Sequence, residues 1–191
     1  MKQPLVPDPR NYNAQEILKD GTPITIRAIR KDDQTSIRAA FRVLDREAVY
    51  SRFLNPKKTD LTNAELEQVT DLDFRQVVAL LATVSQGDGE EIVIGDGRYA
   101  TIKGDKLGHA ELAFIVAEPY RGRGVASLLL RHLTHIAQQA GLAVFEADVL
   151  AYNESMLAVL QRSAFPIYRQ HEGDIVHVTL SLTAPGHETK S

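Results

Sequence analysis

Residues 121–127 read Arg-Gly-Arg-Gly-Val-Ala-Ser, between an apolar run and a leucine-rich one. A turn entering a helix leaves backbone N–H groups unpaired at the positive end of the helix dipole. Glycines let that backbone approach a ligand with no Cβ in the way, and arginines add fixed charge and a forked donor. Together these features suit a pyrophosphate. The same residues also suit a surface turn with solvated arginines. No Gly-Lys-Ser/Thr follows, so this is not a P-loop, and the third glycine of the dinucleotide fingerprint is missing.

A second residue of chemical interest lies just upstream. In GHAELAFIV, alternation puts Ala110, Leu112, Phe114 and Val116 on one face and His109, Glu111, Ala113 and Ile115 on the other. Burial in so apolar a strand would desolvate the Glu111 carboxylate and raise its pKa. A solvent-exposed charge or an ion pair to Arg98 is the alternative. Glu146 and Asp148 share a face of AVFEADVL and are reserve carboxylates. His132 and His135 have no carboxylate at ligand spacing, so a metal is not expected; His132 lies on an apolar stripe and reads as a core-edge histidine. Asp71 and Asp73 read as solvated acids near a helix end.

The elements that must position these groups follow from the pattern. Residues 22–29 alternate as a strand, and Asp32 or Asp33 caps a helix to about Leu44. DREAVYSRF and NAELEQVT read as short helices, with Asn63 capping the second. Residues 77–84, 91–102 and 108–116 form three strands joined by short polar turns, hence an antiparallel meander. A long helix follows with Val125, Leu128, Leu129, His132, Leu133, Ile136, Ala137 and Ala140 on one stripe, ended by Gly141. A strand, a helix opened by Asn153, and a final strand over 174–182 complete an α+β single sheet with packed helices.

At 191 residues and 43% hydrophobic content the chain suits one domain. Residues 1–15, with Pro4, Pro7 and Pro9, and residues 184–191 read as flexible tails flanking a domain over 16–183. With 22 basic against 25 acidic side chains, net charge −3, there is no broad nucleic-acid footprint. The absence of cysteine excludes disulfides, thiolate metal sites and a cysteine nucleophile. No apolar leader or membrane-length run appears, so a cytoplasmic protein is expected. Oligomeric state is not readable.

Arg121-x-x-Gly124-x-Ala126, after an apolar strand and Pro119, resembles the acyl-CoA pyrophosphate loop of GNAT-superfamily acetyltransferases, whose pattern is Gln/Arg-x-x-Gly-x-Gly/Ala. More narrowly, ITIRAIRKDD, AVYSRF, VTDLDFRQVVALLA, AELAFIV, YRGRGVASLLLRHL and NESMLAVLQRSAF look like the acetyltransferase domain of bacterial Pat-type protein lysine acetyltransferases. In many of those the domain is fused to a regulatory or acyl-CoA-synthetase-like region, which these residues do not include; if they are the full-length protein, any such regulation is expected to be missing or to come from another chain.

The resemblance implies a GNAT fold, a mixed and mostly antiparallel sheet flanked by helices, and direct transfer of an acetyl group from acetyl-CoA to a protein lysine, without a metal. An acyl-CoA synthetase is one protein that would carry that lysine. Arg121, Gly122, Arg123, Gly124, Val125, Ala126 and Ser127 would hold the pyrophosphate, and Asn153 another part of CoA. Glu111 would be the general base, and a backbone N–H at Val116 or Ala117 the oxyanion donor. Leu160 stands where many relatives have a tyrosine general acid, and Ala164 where they have glycine. A small-molecule amine or a protein N-terminus is the alternative acceptor. A non-catalytic acyl-CoA-binding module is the alternative class.

Overall fold

Alternation of buried and exposed side chains organises eight strands into one sheet, in the order β1-β2-β3-β4-β5-β6-β8-β7. They are β1 (Asn13–Ile17), β2 (Pro23–Ala28), β3 (Val77–Gln86), β4 (Glu90–Thr101), β5 (His109–Val116), β6 (Val144–Leu150), β7 (Ile167–Glu172) and β8 (Ile175–Ser181). The computed structural model describes residues 8–45, 60–87, 89–102, 104 and 108–183. Every neighbouring pair is antiparallel except β5 and β6. The described residues also form helices α1 (Gln34–Arg42), α2 (Asn63–Thr70), α3 (Val125–Gln139) and α4 (Glu154–Gln161).

The helices divide between the two faces. On β4, Gly95 and Gly97 face α3: a Cβ at Gly95 would stand 2.9 Å from Val125 and one at Gly97 3.2 Å from Leu129. Their missing side chains let α3 lie close on the sheet. Leu129, Leu133, Leu160, Leu112, Phe145 and Leu180, all nearly inaccessible, share the resulting core. Asp96 and Arg98 point the other way, into an apolar cavity of about 80 Å³ beneath Ile37, Ala40 and Phe41 of α1. Near that helix a buried ion pair fixes the path of the chain. Arg27 holds Asp33 through two bonds of 2.7 and 2.9 Å, and Asp33 also accepts the Arg30 N–H at 2.7 Å. The neighbouring carboxylates of Asp33 and Glu91 raise the Arg27 pKa against the cost of burial.

The meander and the strand-helix alternation follow the expected order. Several local readings are corrected. Residues 13–15, expected in a tail, belong to β1, and β7 was not anticipated at all. Both are sheet edges made of largely polar residues, NAQEI and IYRQHE, and carry no apolar alternation for a pattern to reveal. The cap of α2 is Thr62, not Asn63: Thr62 Oγ1 accepts the Glu65 N–H at 3.2 Å and the Glu65 carboxylate accepts the Thr62 N–H at 2.9 Å. Ala140 is exposed, at the end of the α3 stripe. Nearly all of the helix expected over DREAVYSRF, and the C-terminal tail, lie outside the described residues.

Candidate active site

The loop after β5 is built from the sequence upward. A single 3-10 turn at Glu118–Tyr120, with Pro119 inside it, lifts the chain off the sheet. Gly122 and Gly124 then take φ of +73° and +105°, conformations that a side chain would strain. A Cβ at Gly122 would meet nothing within 4 Å, so the backbone there borders open space. In α3 the Leu128 N–H closes on the Gly124 carbonyl at 3.0 Å, leaving the N–H groups of Val125, Ala126 and Ser127 with no intrahelical acceptor. Peptide dipoles and free donors thus converge on a surface that suits phosphate oxygens.

Each of the two arginines has a carboxylate partner that the sequence did not show. Arg121 is paired with Asp45, and its Nε donates to the Val116 carbonyl at 3.4 Å. Arg123 donates to Asp20 at 3.0 Å and lies over the Tyr120 ring, 5.1 Å from its centre. No local pattern announces Asp45 or Asp20, because they lie 76 and 103 residues from their partners.

Beside the loop the sheet opens. The parallel pairing of β5 with β6 covers only His109, Ala110 and Glu111, matched with Val144, Phe145 and Glu146. Beyond those positions both strands continue without pairing to each other. Antiparallel strands exchange bonds at alternate residues. Ile102 N–H donates to the His109 carbonyl at 3.0 Å and Ala117 N–H to the Ile94 carbonyl at 2.9 Å, so the odd-numbered residues of β5 bond to β4. The backbone groups of Phe114 and Val116 therefore point toward β6, into the opening. Of the two expected oxyanion donors, Ala117 has already spent its N–H; Val116 has the one that faces the gap.

Glu111 occupies the last paired position before the strands part, abreast of Glu146. It is exposed, the solvent-facing alternative rather than the buried one. Nor does Arg98 reach it: Arg98 is bound to Asp96 at 2.5 and 2.9 Å. Glu146 lies 2.7 Å from His109, and Asp148 lies 2.6 Å from His177. Hydrogen bonding to Asp148 is the main cause that raises the His177 pKa; desolvation opposes it, and the charge of Asp148 and the bond and charge of Glu172 add to the rise.

Asn153 caps α4, its side-chain oxygen accepting the Met156 N–H at 3.1 Å. Its oxygen is thus engaged in structure. Leu160 is 1% exposed and belongs to the core. Asp71 pairs with Lys31 at 2.8 Å, and Asp73 accepts the N–H groups of Arg75, Gln76 and Val77, so both acids hold structure. His132 is buried, and His135 is exposed beside Gln139.

Known proteins share this fold. The model of the acetyltransferase (GNAT) family matches residues 47–165. The chain belongs to the GNAT acetyltransferase family. An acetyltransferase of Pseudomonas aeruginosa is 33% identical over 141 residues, 74% of each protein. Acetyltransferase Pat of Mycolicibacterium smegmatis is 32% identical over 117 residues, 61% of this chain and 33% of that protein. The GNAT domain of S. lividans PAT superposes with a TM-score of 0.78 at 30% identity, covering 88% of this chain and 96% of that one. At 18% identity, a putative acetyltransferase of Salmonella typhimurium solved with its cofactor acetyl-CoA has the same fold, with a TM-score of 0.66 over 85% of this chain and 98% of that one.

This GNAT enzyme is an acetyl-CoA-dependent acetyltransferase. Its residues fit that donor: the loop offers a positive-φ backbone against open space, and the parted strands offer unpaired backbone groups beside it.

Proposed function

We propose that the enzyme acetylates the side-chain amine of a protein lysine, with Glu111 as general base. The observation that carries this reading is the position of Glu111, exposed where β5 and β6 part. An acceptor too large to enter a closed pocket can still present a lysine there. The likeness to Pat supports the same substrate class.

When bound, acetyl-CoA supplies an activated thioester carbonyl. The N–H groups from Gly122 to Ser127 hold its pyrophosphate, with the Ser127 hydroxyl as a further donor. A lysine amine, with an ordinary pKa of about 10.4, arrives protonated, and Glu111 accepts that proton directly or through water. The amine nitrogen then bonds to the carbonyl carbon, the carbon–sulfur bond breaks, and the second proton that the nitrogen sheds passes to water, directly or by way of the departing thiolate. The Val116 N–H stabilises the negative charge that develops on the carbonyl oxygen. A thiol with a pKa of about 8.5 leaves as thiolate without a dedicated acid, which suits a core Leu160.

An acyl-CoA synthetase is the first protein acceptor to test, and the setting proposed is the cytoplasm. Among the described residues no helix is long and apolar enough to cross a membrane. The test is a panel of acceptors incubated with acetyl-CoA: synthetase, lysine peptides, free polyamines and protein N-termini. Acetyl-lysine on protein, mapped by mass spectrometry, is the expected product. Turnover confined to small amines or N-termini would refute the lysine assignment, and CoA binding with no transfer would leave a binding module.

A further inference from the structure

The hairpin turn between β1 and β2 closes one side of the phosphate loop. Lys19 donates its backbone N–H to the Arg123 carbonyl at 3.0 Å. Its side chain runs along Gly124: Cγ and Cε lie 3.6 Å, and Cδ 3.9 Å, from where a Gly124 Cβ would stand. The lysine stem thus lies at ordinary van der Waals distance from the point where a side chain on Gly124 would begin.

Charge accounting singles out the same lysine. Arg121 is neutralised by Asp45 and Arg123 by Asp20, and Arg131, further along α3, is paired with Glu16 at 2.6 Å. Lys19 is exposed and has no carboxylate partner among the described residues. A pyrophosphate on this loop brings concentrated negative charge to a place where the loop's own cations are already matched. An ammonium on a flexible stem serves such a group as a mobile point charge.

We propose that Lys19 is a donor-binding residue whose ammonium contacts the pyrophosphate of the acyl-CoA. This rests on the assignment of the loop as the pyrophosphate site. It adds to that site a residue from a hairpin about a hundred positions away in sequence.

Calorimetric titration of the full chain with CoA, and separately with CoA lacking its 3′-phosphate, tests the proposal without any turnover. Lys19→Met keeps the aliphatic stem and the backbone N–H while removing the charge. It is expected to weaken binding about five- to tenfold for both ligands, less so in high salt, with Lys19→Arg close to the parent. Unchanged affinity in Lys19→Met, with the parent binding CoA, overturns the role of Lys19 and leaves the loop assignment standing. A loss seen with CoA but not with the 3′-dephospho form overturns the pyrophosphate contact in favour of the 3′-phosphate. A parent protein that binds neither ligand overturns both readings.

Discussion

Glu111 and Glu146 stand abreast on the open side of the sheet, so a cationic acceptor approaching the gap meets two carboxylates. Only Glu111 belongs to the strand whose Val116 N–H faces the opening, and Glu146 is engaged with His109. Glu111→Gln is therefore expected to lower kcat about 10²- to 10⁴-fold, the usual contribution of general base catalysis, with CoA affinity by calorimetry unchanged. A kcat that stays at the parental value across pH would move the base to Glu146 or Asp148. At this scale the sequence showed the residue but not its surroundings. The choice between Val116 and Ala117, and the carboxylates holding Arg121 and Arg123, depend on pairings between distant segments.

Helix α3 was the most legible element, because its long apolar stripe repeats at helical spacing. His132 on that stripe is indeed a core-edge histidine, but its partners come from β1 and the residues before it. Tyr12 bonds to Nδ1, and Nε2 lies 3.0 Å from Glu16. Neutral His132 protonated on Nε2 satisfies both, accepting from the phenol and donating to the carboxylate. Burial lowers its pKa from 6.5 and outweighs the opposing pull of Glu16, while Arg131 and His135 lower it further. The unfolded chain thus binds this proton more readily, so the contribution is complete above about pH 6.5 and shrinks as pH falls toward the lowered value. Half-buried His177, with its raised pKa, acts in the opposite sense, its contribution fading as pH rises past that value. Thermal melts at pH 7.5 and 5.5 should therefore show a larger acid loss in the parent than in His132→Gln, which keeps His177 but cannot titrate at 132. Equal losses in both proteins would mean that the buried imidazole has no part in the acid sensitivity.

Across the whole molecule, the central strands and their connections were readable because one or both of their faces are buried and punctuated by polar turns. The two edges, β1 and β7, were not, since a half-solvated polar strand looks like a loop until its neighbour is known. That omission mattered most at β1: its hairpin closes against the phosphate loop, and its residues reach α3. The site is therefore assembled from both halves of the chain, whereas the motif that revealed it lies in one.

The early parting of β5 from β6 also gives neighbouring amides along one strand different lifetimes. The N–H groups of Ala113 and Ile115 fall on the side bonded to β4, while those of Phe114 and Val116 face the gap. In deuterated water the free enzyme should exchange Phe114 and Val116 quickly and the two residues between and before them slowly, a zigzag of protection read residue by residue. Acetyl-CoA should slow the fast pair and leave the slow pair as they were. Uniform protection of the free strand would show that the gap is already filled. One strand would thus report, by every second amide, whether the donor has arrived.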